Sequence, residues 1–320
     1  MIIYDFHTMQ QEEGFRSPLA VALGSFDGVH IGHAALIERA VGYAKEHNIS
    51  SGVWTFADTP SVMPNKAGAH CITTQEDKLR RFAALGVDYV ILEDFSAVRH
   101  LSPERFVREK LIEGCGAVCA ICGYNFRFGQ GGQGDSEALC RLMAPRGCIV
   151  VPPVYLDDEP VSSTAIRALI KAGDTETAAR MLGYPFTLNA PVVHGKQLGR
   201  TIGLPTINQN FPEGCVIPKN GIYACRVETG DGIHIGVANV GVRPTIVNDT
   251  HKMNCETHIL DYTGNLYDRP VRVAFYKRLR DEMKFPDVDA LRRQIERDAE
   301  EARRYFADKE GKLCQNAFCP

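Results

Sequence analysis

The stretch Gly24-Ser25-Phe26-Asp27-Gly28-Val29-His30-Ile31-Gly32-His33 constrains this 320-residue chain more than any other. It follows the apolar run Leu19 to Leu23, which reads as a buried strand. It precedes Ala34 to Glu46, where Leu36/Ile37, Ala40/Val41 and Ala44 recur at helical spacing. The spacing therefore predicts a strand-to-helix turn. Glycines in such a turn let the backbone approach a ligand closely. A helix N-terminus supplies free N–H groups and the positive end of the dipole. Two histidines three apart add donors suited to phosphate oxygens. Gly24, Phe26, Asp27, Gly28 and Gly32 are thus candidate nucleotide-phosphate-binding residues, with His30 and His33 beside them as candidates for chemistry on a phosphate. A dinucleotide fingerprint would need Gly-x-Gly-x-x-Gly, which is not present here. A zinc site would need further ligands, and there is no His-Glu-x-x-His. A tight turn with incidental histidines is the plain alternative.

Residues 1 to about 183 alternate apolar strands with helical patterns, as a parallel α/β sheet requires. Strands are expected at 52–56, 88–92, 117–122 and 147–152. Helices are expected from Thr74, from Ser102 with Pro103 at the first helical position, from Ser162 to Gly173, and from Asp174 to Gly183. Residues 186 to about 285 read differently. Short β-type runs such as 221–227, 233–240 and 271–276 are separated by Gly, Pro and Asn-Gly turns, which predicts a small barrel or sandwich. A last helix is expected over 289–306, with Leu291, Ile295, Ala299, Ala302 and Phe306 as its apolar stripe. The expected division is 1–184, 185–309 and a patternless tail, 310–320, expected to be disordered.

Bulk properties narrow the partners. Apolar residues make up 44% and charged residues 23%, and the formal charge is −3. No basic-aromatic stripe suggests nucleic acid. The first residues lack a basic segment followed by an apolar one, and no apolar run reaches membrane-spanning length. A cytoplasmic protein with neither a nucleic-acid nor a membrane partner is expected; self-association is left open. The eleven cysteines are scattered and odd in number, which argues for reduced thiols. The lone pair Cys119 and Cys122 lies in an apolar strand pattern, where cysteine serves as a small apolar residue. A metal or redox role is its alternative.

Four further segments carry chemistry. Gly123 to Asp135 is a Gly-rich loop that can wrap a planar ligand or a phosphate, with Arg127 supplying charge; a merely flexible loop is the alternative. Ser163 and Thr164 at a helix start, with Arg167 one turn on, suit a polyphosphate, although Ser and Thr also cap helices routinely. Gly195 to Asn208 is Gly-rich and basic but lies between β-like flanks, unlike a Walker A loop. Within it Thr206 and Asn208 alternate onto one strand face, where a hydroxyl and an amide oxygen can hold magnesium and phosphate oxygens. A polar strand end beside a barrel turn is the other reading. Glu256 shares a strand face with His258 and Leu260, a fair setting for a general base, and otherwise an ordinary solvated glutamate.

With these motifs in order, the chain resembles the bifunctional riboflavin kinase/FAD synthetases of bacteria. The resemblance runs from about residue 18 to 306. It rests on Gly24–His33, Gly123–Asp135, Ser162–Arg167, Gly199–Asn208, Gly236–Thr245, Glu256–Tyr267 and Arg280–Phe285. It implies an α/β nucleotidyltransferase domain with a Rossmann-like parallel sheet, acting as FMN adenylyltransferase. It implies next a six-stranded β-barrel riboflavin kinase with a C-terminal helix. By resemblance Glu256 is the kinase base, and Thr206 and Asn208 hold Mg-nucleotide. Gly199, Arg200, Gly203 and Pro205 belong to the ATP segment. Asn125, Phe126, Arg127 and Phe128 belong to one flavin segment, and Arg280 and Glu282 to another. His30 and His33 bind ATP phosphates and stabilise the transition state, aided by Ser163, Thr164 and Arg167. The implied cofactor is Mg2+ with ATP as co-substrate, with no tightly bound metal. The implied partners are riboflavin, FMN, FAD and ATP. This chain reads Phe56-Ala57-Asp58-Thr59-Pro60 where the family usually has Phe-Asp-Pro-His-Pro, or Asn in place of that His. It also has Asn125 where Asp is common and Gly132 where a basic residue is common. These departures predict a slower adenylyl step. A kinase with an impaired first domain is the nearest alternative. A flavin-responsive regulatory protein is a more distant one, which the intact Glu256, Thr206 and Asn208 set argues against.

Overall fold

The computed structural model describes residues 1–7, 9, 18–57, 70–195, 203–243 and 252–309. These fall into two compact units, one up to Ser163 and one from Thr164 onward.

In the first unit the strands are β1 (Ile2–Asp5), β2 (Leu19–Leu23), β3 (Ser50–Phe56), β4 (Tyr89–Glu93), β5 (Ala117–Gly123) and β6 (Gly147–Val151). The principal helices are α1 (Ile31–His47), α2 (Gln75–Ala84) and α3 (Ser136–Met143). Among the described residues the sheet order is β1-β4-β3-β2-β5-β6, and every pairing is parallel. All five residues of β2 are buried, because a central parallel strand is covered on both faces. Alternation sends Val21, Trp54, Ile91 and Cys122 into one apolar layer. It sends Ala22, Val53, Val90 and Cys119 into the other. The two cysteines of the lone C-x-x-C thus point to opposite faces of β5.

The chain departs from its sequence pattern after Ser102. That residue caps as expected, its Oγ accepting the Arg105 N–H at 3.3 Å. However, Phe106–Ile112 continues as a π-helix rather than an α-helix. The wider turn lets Phe106, Val107 and Leu111 all reach the core. It also brings Lys110 Nζ to 2.7 Å from the buried Glu93 carboxylate. A buried ion pair of this kind leaves no trace in the apolar spacing.

The order of strands positions a site. The β2–α1–β3 crossover runs toward one side of β2, and β5 lies on the other. Open parallel sheets bind ligands beyond the carboxyl ends of strands at such a switch point. The segments leaving those ends are Gly24–His33 and Gly123–Asp135.

The second unit holds most of α4 (Ser163–Ala172), then α5 (Thr175–Leu182). Its strands are β7 (Phe186–Pro191), β8 (Thr206–Asn210), β9 (Gly221–Thr229), β10 (Gly232–Arg243), β11 (Lys252–Ile259) and β12 (Pro270–Arg280), followed by α6 (Val288–Lys309). The sheet order is β7-β12-β9-β10-β11-β8, antiparallel throughout. Val193 N–H donates to Asn208 O at 2.8 Å, so the two end strands meet and the sheet curls into a barrel. Tyr223, Cys225, Val273 and Phe275 fill the interior. Gln209 is also fully buried there, and its amide donates to Ala190 O and Val271 O. On the outer face Ile222, Ala224, Val237 and Tyr276 pack under Ala299, Ala302 and Phe306 of α6. These are the last three members of the stripe expected from sequence; Leu291 and Ile295 are only half-buried. Thr175 Oγ1 donates to Tyr276 O, and Tyr305 OH donates to Glu176, so α5 groups with the barrel.

Candidate functional sites

The first candidate site is the turn between β2 and α1. Phe26, Gly28 and Val29 all adopt left-handed backbone, with φ of 50°, 80° and 33°. A phenylalanine and a valine are held there only because the surroundings over-determine the turn. Asp27 Oδ1 accepts the Ile72 N–H at 2.8 Å, and Thr73 Oγ1 accepts the Gly28 N–H at 3.2 Å. Ser163 Oγ donates to Asp27 O at 3.0 Å. Thr55 Oγ1 donates to Ser25 O at 3.2 Å. Phe26 is fully buried, edge-on to both Phe82 and His33.

These ties deliver the two histidines. His30 is the N-cap of α1, and its Nδ1 accepts the His33 N–H at 3.2 Å. The rings stack with centroids 3.6 Å apart and planes 16° from parallel. A Cβ at position 32 would sit 3.2 Å from the His30 ring, so Gly32 keeps the stack close. Behind the turn, Lys78 is almost fully buried and donates from Nζ to Phe56 O at 2.9 Å. Burial pushes its ammonium down to about 8, against the opposing pull of Asp27 and Cys71. The sequence reading missed Lys78, because a lysine in a polar helix start gives no sign of burial.

The Gly123–Asp135 segment is more ordered than a flexible loop. Arg127 and Phe128 pair antiparallel with Gly134 and Asp135. Phe126 and Phe128 stack with centroids 5.6 Å apart, and Phe128 is anchored against Phe106 in the core. The Arg127 guanidinium lies exposed, 3.7 Å from Asp135. Asn125 Oδ1 sits against Gly123. Ser163 opens α4, and Thr164 and the buried Arg167 follow on it. Phe56 and Ala57 are placed, whereas the departure at Thr59 lies outside the described residues.

The second candidate site is a row across the outer face of the barrel. Strand pairing sets Asn208 opposite Glu256, Glu256 opposite Asn239, Asn239 opposite Ile222, and Ile222 opposite Arg280. Directly opposed residues share a face with Cβ atoms roughly 4.5–5.5 Å apart. One line therefore crosses β8, β11, β10, β9 and β12. Thr206 Oγ1 donates to Glu256 Oε1 at 2.7 Å. Asn208 Oδ1 accepts from Asn254 Nδ2 at 3.3 Å. A Cβ at position 195 would collide with the Asn208 amide, so that glycine clears its place. His258 Nδ1 donates to Pro205 O at 2.9 Å and fixes the backbone entering Thr206. Gly203 has φ of 76°. Gly199 and Arg200 lie outside the described residues.

At the far end of the row, Arg280 is held from α6. Its Nε and Nη2 donate to the two oxygens of the buried Asp298 at 2.9 and 2.6 Å, and Gln294 supplies a third bond to that carboxylate. The Glu282 carboxylate lies over Gly241, where a Cβ would collide with it. Asn239 and Asp298 were not singled out from sequence.

The donors offered near Glu256 are the hydroxyl of Thr206 and the amide oxygen of Asn208. Such hard oxygens fit a magnesium that brings phosphate and water ligands with it. Among the described residues no group of three or more His, Cys, Asp or Glu side chains could hold a metal ion by itself.

Comparison with known proteins follows this division. A riboflavin kinase family model matches residues 182–306, and an FAD synthetase family model matches residues 12–165. The bifunctional riboflavin kinase/FMN adenylyltransferase of Bacillus subtilis (strain 168) is 34% identical over 307 residues, covering 94% of this chain and 96% of that one. The protein of the same description from Escherichia coli (strain K12) is 34% identical over 313 residues, covering 95% and 97%. The crystal structure of a macrolide-efflux protein from Streptococcus pneumoniae superposes with a TM-score of 0.83 at 29% identity, covering 95% of this chain and 99% of that one. Among the described residues here, no helix is long and apolar enough to cross a membrane.

Proposed function

From the premise that this chain belongs to the bifunctional riboflavin kinase/FMN adenylyltransferase family and is a transferase of flavin cofactor biosynthesis, we propose which residues perform each step. The barrel row phosphorylates riboflavin. Glu256 takes the proton of the riboflavin 5′-hydroxyl as that oxygen attacks the γ-phosphorus of ATP and ADP leaves. The 2.7 Å bond between Thr206 and Glu256, with Asn208 in register beside them, carries this reading. That arrangement supports reading Glu256 as a general base beside two oxygen donors suited to Mg2+. When bound, Mg2+ supplies charge neutralisation at the phosphates. Gly203 and Pro205 shape the approach to Thr206, and Gly199 and Arg200 are assigned to ATP by motif. Arg280 and Glu282 lie at the flavin end of the row.

The β2–α1 turn adenylylates FMN. An FMN phosphate oxygen attacks the α-phosphorus of ATP, and pyrophosphate leaves. His30, His33 and the N-terminus of α1 hold the phosphates and stabilise the added charge of the transition state. Gly24, Phe26, Asp27, Gly28 and Gly32 form the cradle. Asp27 acts through the backbone of Ile72 rather than as a free carboxylate. Ser163 ties the turn, and Thr164 and Arg167 are assigned to ATP phosphates by motif. Asn125, Phe126, Arg127 and Phe128 receive the flavin. Positioning and charge stabilisation suffice for both reactions, without a covalent intermediate.

We place the functional boundary at 184/185, where the pattern changes, and the action in the cytoplasm. The near-neutral charge supports small-molecule partners rather than nucleic acid. Purified protein given riboflavin and Mg-ATP should yield FMN and then FAD with pyrophosphate, resolved by chromatography. Failure to form FMN would overturn the kinase assignment, and failure to convert added FMN would overturn the other.

A further inference from the structure

Among the described residues, one polar member of the barrel row has a side-chain oxygen that meets no hydrogen-bond donor. Arg280 is held by Asp298, Glu256 by Thr206, and Asn208 by Asn254. Asn239 lies between Ile222 and Glu256, and its side-chain Oδ1 is shut off from solvent with no hydrogen bond. An unmet buried acceptor is unfavourable, and proteins leave few of them. One that stands beside a catalytic base is suited to be met by the substrate.

The chemistry of that acceptor selects the ligand group. Oδ1 needs a hydrogen-bond donor. The phosphates of ATP present only acceptors, so the nucleotide's polyphosphate cannot satisfy it. Ile222 is apolar, and the nearby carboxylates of Glu256 and Glu282 are acceptors when ionised. Riboflavin, by contrast, carries secondary hydroxyls along the same chain that ends in the 5′-hydroxyl. With that terminal hydroxyl at Glu256, a secondary hydroxyl falls across the strand pairing toward Asn239.

Building on the kinase reading of this site, we propose that Asn239 accepts a hydrogen bond from a secondary hydroxyl of the ribityl chain and so selects polyhydroxylated flavins. The bond fixes the chain one or two carbons from the reacting oxygen. It orients the 5′-hydroxyl toward Glu256 without touching the nucleotide.

The test uses the full chain as wild type, Asn239→Ala and Asn239→Ser. Two acceptor substrates are compared: riboflavin, and a flavin with a 5-hydroxypentyl chain that keeps only the terminal hydroxyl. In Asn239→Ala the KM for riboflavin should rise about 3- to 10-fold, the worth of one neutral hydrogen bond. The KM for ATP and the conversion of added FMN to FAD should not move. Asn239→Ser, which retains an acceptor, should recover part of the loss. The wild type should disfavour the hydroxypentyl flavin, and Asn239→Ala should disfavour it by a smaller factor, because partners in contact are not additive. An unchanged riboflavin KM in an Asn239→Ala protein that melts like wild type would overturn the proposal. So would an analogue penalty equal in the two proteins. If Asn239→Ala does not fold, Asn239→Ser against wild type on the two flavins decides by the same criterion. If Glu256→Gln phosphorylates riboflavin normally, the kinase reading itself falls and takes this inference with it; normal dependence on Glu256 with no effect at Asn239 overturns the inference alone.

Discussion

The two candidate sites are built by opposite means. The β2–α1 turn is a short loop held in unfavourable backbone conformations by ties from distant segments. Ile72, Thr73, Thr55 and Ser163 each bond to it. The barrel row is aligned chiefly by strand register, since its members stand on paired strands, and a tie from α6 is added at Arg280. A turn of the first kind presents backbone N–H groups to polyphosphate, which strands engaged in pairing cannot do. A row of the second kind sets a base at a fixed distance from a hydroxyl and an amide. On the proposed assignments, phosphate cradling and proton abstraction use different scaffolds in this chain.

The largest test of this contrast is Glu256→Gln, which keeps shape and removes the base. FMN formation should fall by ~10²–10⁴-fold, while added FMN still becomes FAD. Near-normal kinase turnover would break the assignment. Next is the double change of His30 and His33 to Ala. FAD formation should drop at least ~10²–10³-fold, the cost typical of losing one transition-state donor, with FMN accumulating at the wild-type rate. Equal loss of both activities in a folded protein would erase the separation.

Asp298→Asn probes whether the row depends on α6. One member of a buried bidentate pair is neutralised, and breaking such a pair costs on the order of 3–5 kcal/mol when fully buried, less here because Arg280 is partly exposed. The barrel's melting transition should fall, and the riboflavin KM should rise more than kcat falls. An unchanged KM would show that Arg280 does not serve the flavin.

The smallest effect concerns the ties behind the turn. Lys78 stands at about 8 in the folded protein and at an ordinary lysine value of 10.5 when exposed. Below about pH 8 both states hold the proton, and the folded state bears the full burial penalty. Between about 8 and 10.5 only the unfolded state keeps it, so stability rises with pH across that window. Lys78→Met should remove this rise, as read by melting temperature against pH for the two proteins. Parallel curves would mean that the ammonium is not buried as described.

The legibility of these features follows from how local they are. The β2 run, the Gly24–His33 turn and the α1 stripe are contiguous, so their spacing spells the element. The α6 stripe was equally plain. The π-helical Phe106–Ile112 was not, because apolar spacing does not distinguish a π turn from an α turn. Asp298 sits on a helix whose charged residues read as a solvated face, and only the partner on β12 explains its burial. Asn239 lies in a recognised motif, yet its meaning depends on register across three strands. Register in this barrel passes through irregularities, as at Ile222/Tyr223, that sequence does not announce.

If the chain carries two independent sites linked by a diffusible product, two singly impaired variants should complement one another. The most direct measurement mixes two full-length variants, each impaired in one activity: Glu256→Gln protein and His30→Ala/His33→Ala protein, with riboflavin and Mg-ATP, followed by chromatography. Each alone should make FAD far more slowly than wild type. Together they should make it, since the second protein supplies FMN and the first adenylylates it. A mixture that accumulates FMN and forms no FAD, from two folded proteins, would contradict the account.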